Sequence, residues 1–217
     1  MTDFAELRTT MVDTQVRPSD VTKYTVIEAL LEVPREAFVP TGQRAAAYAD
    51  TCVTLDWGRV VLDARTFAKM LDALDIQNEE LVLDIGTGLG YSSAVIARMA
   101  EAVIAVEDDE TRASEAQTTL SEQGADNAIV HTGALAEGAA EHGPYDVILL
   151  QGGVEELPAT ILEQLKEGGR IGALFVEGAL GVVRIGYKID GQVNWSFAFN
   201  ANAPVLPGFE KQRAFEL

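Results

Sequence analysis

One stretch limits the fold more than any other: Leu83-Asp84-Ile85-Gly86-Thr87-Gly88-Leu89-Gly90-Tyr91. An apolar strand over residues 81–85 runs into alternating glycines, and a helix is predicted over 92–99. Strands at 103–106, 128–132 and 145–150 follow, separated by helices at 110–122 and about 159–166, with Gly168-Gly169 as a stop. Short apolar strands alternating with helices require right-handed crossovers and burial on both faces. The expected fold is therefore α/β, a doubly wound, mostly parallel, Rossmann-like sheet.

The flanks read differently. Residues 4–48 suggest short helices: Phe4, Leu7 and Met11 keep helical spacing, and Ser19 or Asp20 is placed to cap a helix carrying Val26, Ile27, Leu30 and Leu31. Residues 51–55 suit a short strand, and a helix with Phe67, Met70, Leu71 and Leu74 on one stripe follows Asp63. After a strand at 171–176, the tail alternates Val183, Ile185, Tyr187 and Ile189 with polar or small residues. Asp190-Gly191 then turns the chain into Trp195, Phe197 and Phe199, the pattern of an antiparallel hairpin. With 217 residues, one domain is expected, divided into a helical cover (1–75), a ligand-binding core (76–170) and a C-terminal β region (171–217).

Glycines at a strand–helix turn let a ligand approach the backbone, and ligands of open parallel sheets lie beyond the strands' carboxyl ends. Glu107 ends the next strand, 21 residues after Gly86, where a carboxylate can accept both hydroxyl protons of a ribose. A dinucleotide site expects Gly-x-Gly-x-x-Gly, but here the third glycine comes one residue early, at Gly90, and Tyr91 follows. That spacing favours an adenosyl-sulfonium donor, S-adenosyl-L-methionine, over a dinucleotide; a tight turn without ligand is the plain alternative. The expected donor-binding set around this motif is Asp84, Gly86, Thr87, Gly88, Gly90, Glu107 and Asp108.

Charge and rare residues narrow the partners. Sixteen Lys+Arg against 34 Asp+Glu give a net charge of −18, a field that repels nucleic-acid phosphates and anionic membranes. Cys52 is the only cysteine, so no internal disulfide forms and a cytoplasmic location is expected. The two histidines, His131 and His142, are not spaced as a metal pair, and no metal site is expected. The apolar stretch 171–187 is interrupted by Glu177 and Arg184 and is too short to span a bilayer.

Five segments together resemble the protein-L-isoaspartate O-methyltransferases: Val33-Pro-Arg-Glu-Ala-Phe-Val-Pro40, Ala47-Tyr-Ala-Asp50, the glycine motif at 83–91, Pro144-Tyr-Asp146 and Leu162-Glu-Gln-Leu-Lys-Glu-Gly-Gly-Arg170. They stand in the family's order over roughly the first four-fifths of the chain. The glycine motif is generic to methyltransferases, whereas the first and last segments are far more specific. The resemblance implies a class I methyltransferase fold with a helical N-terminal cover, S-adenosyl-L-methionine as cofactor, and a carboxylate on a damaged aspartyl residue as the family's acceptor; for this chain the expected acceptor is a protein or peptide carboxylate, or a small anionic molecule.

Three departures qualify it. The family carries a segment like Gly-x-Thr-Ile-Ser-x-Pro, whose serine lies at the acceptor. Here Gly58-Arg59-Val60-Val61-Leu62-Asp63-Ala64 puts Leu62 at the serine and Ala64 at the proline, so no catalytic residue transfers. The family's Gly-Asp-Gly, which reads the adenine amine, is Gly133-Ala134-Leu135, and its Ala-rich turn is Gln151-Gly152-Gly153. The resemblance thereby adds Gly133 and Ala134 to the expected donor-binding set. Arg59 and Arg65 flank Leu62 and can pair with an anionic acceptor or, more plainly, serve as surface partners in an acidic chain. Asp84 is placed to orient the glycine loop, meet the donor's amine or cap the adjacent helix. Tyr48 and Asp50 order the chain leading to the pocket, Trp57 suits a pocket wall or packing, and His131 suits a sheet edge. The expected function is an S-adenosylmethionine-dependent O-methyltransferase with an altered acceptor; a non-catalytic protein that retains the fold is the alternative.

Overall fold

The computed structural model describes residues 2–55 and 58–211; Trp57 and the last six residues, 212–217, lie outside them. Helix α1 (Phe4–Met11) starts at Asp3, whose carboxylate accepts from Ala5 and Glu6 N–H. Helix α2 (Tyr24–Glu32) is not capped by Ser19 or Asp20. Asp72 of the following helix accepts from Thr22 and Lys23 N–H instead, each at 3.2 Å. Strands β1 (Val53–Thr54) and β2 (Val60–Val61) pair antiparallel, and Asp63 caps α3 (Ala64–Leu74) by accepting from Thr66 N–H at 2.8 Å.

The sheet then builds as β3 (Leu81–Ile85), α4 (Tyr91–Ile96), β4 (Ala102–Glu107), α5 (Glu110–Glu122), β5 (Ala128–Thr132), β6 (Tyr145–Val154), α6 (Ala159–Glu163), β7 (Leu165–Glu177), β8 (Leu180–Ile189) and β9 (Gln192–Asn200). The order across the seven strands is β5-β4-β3-β6-β7-β8-β9. β3 to β7 run parallel, and β8 and β9 close the far edge antiparallel. Asp190 and Gly191 both take positive φ, 53° and 76°, as a tight hairpin turn requires.

Two elements differ from the sequence reading. β6 continues through Gln151-Gly152-Gly153 instead of turning there, because Gly153 pairs onward with β7 and with Val205. Gly168-Gly169 does not end α6; α6 stops at Glu163 and the glycines lie inside β7. Alternate strand residues divide the core into two layers. Val82, Val103 and Val147 face the helical cover with Phe38, Phe67 and Leu71, while Leu83, Ile104 and Ile148 face α6 and Phe209.

Candidate functional site

The carboxyl ends of β3 and β4 bring most of the expected donor set together. Gly86 and Gly88 have φ of 82° and 61°, a region costly to any residue with a Cβ. Gly86 and Thr87 donate to Val106 O, and Gly133 donates to Glu107 O, so the loops after β3 and β5 are fastened to the end of β4. Gly90 faces away from the cleft: a Cβ there would lie 3.2 Å from Leu120 of α5, which makes it a packing glycine. Ala134 is exposed beyond β5.

Glu107 is fully buried and both its oxygens are engaged. Oε2 accepts from Gly88 N–H at 2.9 Å and from Arg59 Nη2 at 3.1 Å; Oε1 accepts from Arg59 Nη1 at 3.3 Å and Arg112 Nε at 2.9 Å. Asp108 accepts from the same two arginines, at 3.1 and 2.8 Å. Burial pushes the Glu107 carboxyl above the ordinary glutamate range, opposed by the two guanidinium groups. For Asp108 burial is outweighed by hydrogen bonding with Glu107 and by the arginine charges, which hold it below the usual range. Arg59 is therefore neither a surface partner nor an acceptor ligand. It is 2% exposed, and it lies inside the cleft.

Arg59 is not alone there. A Cβ placed on Gly86 would meet Arg59 Nη2 at 2.9 Å and a Leu206 methyl at 3.2 Å, and one on Gly88 would meet a Leu55 methyl at 2.7 Å. Leu206 arrives on the segment after β9, which is tied to β6 by Gly153 N–H to Pro204 O (2.7 Å) and Leu206 N–H to Gly153 O (2.8 Å). The open side of the glycine loop is thus covered by three side chains of the chain itself. The sequence reading missed Leu55 and Leu206. The apolar spacing of Val205, Leu206 and Phe209 was the available signal that the tail packs inward.

Asp84, also fully buried, has both carboxylate oxygens engaged by neighbouring side chains. It accepts from Ser92 Oγ (2.6 Å), Ser93 Oγ (2.5 Å) and Gln151 Nε2 (2.7 Å), and Ser93 Oγ also meets Thr87 Oγ1 at 2.7 Å. It fixes α4 to the loop through hydroxyls, without capping any backbone N–H. Burial pushes its carboxyl above the ordinary aspartate range against those bonds.

On the acceptor side Leu62 is buried, and its carbonyl accepts from Arg35 Nη2 at 2.7 Å. Arg35 Nε donates to Ala47 O at 2.6 Å, and its guanidinium lies 4.7 Å from the centre of the Tyr91 ring. Leu62, Phe67, Thr87, Tyr91 and Gln151 line a remaining void of about 10 Å³, room for about one water. Tyr48 is buried, with its hydroxyl bonded to Glu36 and Arg8, whereas Asp50 is exposed. Arg65 is exposed, its guanidinium 6.0 Å from the Phe199 ring centre. The two histidines, distant in sequence, meet over one carboxylate: His131 Nδ1 and His142 Nε2 lie 3.4 and 3.5 Å from Glu141 Oε1.

Residues 7–178 match the family model for protein-L-isoaspartate(D-aspartate) O-methyltransferase. The chain belongs to this family. It is 33% identical over 194 residues to the protein-L-isoaspartate O-methyltransferase of Syntrophus aciditrophicus, covering 88% of this chain and 89% of that one. It is 36% identical over 171 residues to that of Koribacter versatilis, covering 79% and 77%. The fold agrees with a Plasmodium falciparum structure described as a protein-L-isoaspartate O-methyltransferase in complex with S-adenosyl-L-homocysteine. The TM-score there is 0.79 at 18% identity, over 95% of this chain and 99% of that one.

The methyl donor of the protein-L-isoaspartate O-methyltransferase family is S-adenosyl-L-methionine. At the glycine loop the chain's own side chains lie close: Arg59 engages both oxygens of Glu107 at the end of β4, and Arg59, Leu55 and Leu206 lie over Gly86 and Gly88. No helix among the described residues is long and apolar enough to cross a membrane.

Proposed function

We propose that this family member methylates a carboxylate with apolar surroundings, on a peptide or a small molecule, and is not a general isoaspartyl-repair enzyme. Asp84, Gly86, Thr87, Gly88, Gly90, Glu107, Asp108, Gly133 and Ala134 form the donor side of this reading. Among them Asp84 and Gly90 act through the loop's shape and packing, on the contacts described above.

The observation that carries it is Leu62. At the position of the family's serine stands a buried alkyl side chain whose neighbours, Val61 and Phe67, are also apolar. An isoaspartyl carboxylate arriving there finds no hydroxyl. Methyl transfer to a carboxylate needs no general base, so positioning supplies much of the acceleration. If the serine acts like an oxyanion-hole donor, its loss costs about 10²–10³ in rate. An apolar-flanked carboxylate loses less, because it replaces that bond with burial. With Cys52 the sole cysteine, the chain suits a reducing compartment.

The test is methyl-ester formation on an isoaspartyl peptide, beside a series of carboxylates flanked by apolar groups and beside an ordinary family member. The expected result is little or no turnover of the isoaspartyl peptide and measurable turnover within the apolar series. Isoaspartyl rates equal to those of the ordinary member would overturn it.

A further inference from the structure

We propose that Arg59 is a built-in stand-in for the donor's ribose: its ion pair with Glu107 shuts the donor cleft, and donor binding requires Arg59 to withdraw. This rests on the assignment of the glycine loop and Glu107 to the donor.

Three features support a shut site over a merely rearranged one. First, Arg59 presents a forked pair of N–H donors to both oxygens of Glu107, the pattern that two adjacent ribose hydroxyls would present. Second, two of the covering residues are tied to each other. Leu55 and Arg59 sit at the end of the β1–β2 ribbon, joined by Leu55 N–H to Arg59 O at 2.7 Å, and both side chains reach the glycine loop. Third, the seat is incomplete. Among the described residues Arg59 Nε is buried without a hydrogen-bond partner, a standing penalty on the shut state.

The reverse side of the cleft is ready without Arg59. Glu107 keeps Gly88 N–H at 2.9 Å and Arg112 at 2.9 Å, so withdrawal leaves neither an unpaired carboxylate nor an unsupported loop. Asp108 meets both arginines as well, so when Arg59 withdraws Arg112 remains to bridge the two carboxylates.

A site populated in its open form only as a fraction f binds with its dissociation constant raised by 1/f. The experiment is calorimetric titration of S-adenosylhomocysteine into the wild type, Arg59→Ala and Arg59→Gln, with folding checked by circular dichroism melts. Arg59→Gln keeps most of the side-chain volume in case the alanine variant folds poorly. The expected result is at least tenfold tighter binding in the Arg59 variants than in the wild type, with the gain lost when Glu107→Gln is added to either. Tight binding by the wild type, unchanged or weakened in both variants, would overturn the plug while leaving the donor site in place. No binding by any folded variant would overturn the donor-site assignment itself, and with it the plug.

Discussion

The Gln151 side-chain amide donates to Asp84 Oδ1 at 2.7 Å, joining β6 to the strand that enters the glycine loop. Ser92 and Ser93 occupy the other carboxylate oxygen. A fully buried carboxylate with one oxygen dependent on one amide is sensitive to that amide. Gln151→Leu should destabilise the protein by about 1–3 kcal/mol, the cost of stranding a buried acceptor. Urea denaturation measures it; a change below about 0.5 kcal/mol would show that the acceptor finds another partner.

Asp84 also predicts a pH effect of definite sign. Burial raises its carboxyl above the ordinary value, so the folded chain holds this proton more tightly than the unfolded chain. The resulting stabilisation is full below the unfolded value of about 3.9 and is lost as pH rises through the folded value. The stability of the wild type minus that of Asp84→Asn should therefore decline from acid toward neutral pH. An increase over that range would contradict the assignment.

Glu107 carries structure as well as any ligand. Removing it leaves Arg59 buried with only Asp108 opposite, an uncompensated charge of the kind that costs about 3–5 kcal/mol. Glu107→Ala should show that loss in chemical denaturation with no ligand present. A near-neutral result would mean that Arg59 simply swings out to solvent when its partner is gone.

Leu62→Ser on its own should raise isoaspartyl methylation only in part, because the closed fraction set by Arg59 limits donor binding for every acceptor, the apolar series included. It should also cost stability, about 2–5 kcal/mol on the scale of buried leucine truncation. Combined with Arg59→Ala, methylation of an isoaspartyl peptide should rise above either single variant. Equal activity in Leu62→Ser and the double variant would show that Arg59 does not limit turnover.

The doubly wound core was legible because its strands are apolar runs cut by helices and glycines, a pattern set by local burial. The hairpin was legible because Asp190-Gly191 is a turn that few other residues can make. Arg59 was not. An arginine in a strongly acidic chain reads as a surface partner, and its burial depends on Glu107, 48 positions away in sequence. Leu206 was hidden for the same reason: its contacts at Gly86 and Gly152 are long-range. The α2 cap was misplaced because Asp72, from another helix, does the work expected of Ser19 or Asp20. The meeting of His131 and His142 on Glu141 also depends on the fold, since the loop after β5 carries the second histidine back to the first.

A cleft filled by its own arginine and two leucines changes what a calorimeter should record. When a ligand enters an empty apolar pocket, the area removed from water produces a large negative heat-capacity change. Here an incoming donor would cover surface that Arg59, Leu55 and Leu206 already keep dry, and would expose those side chains in return. Buried area would be exchanged, with little net gain, so the heat-capacity change of donor binding should be small in the wild type and clearly more negative once Arg59 is truncated.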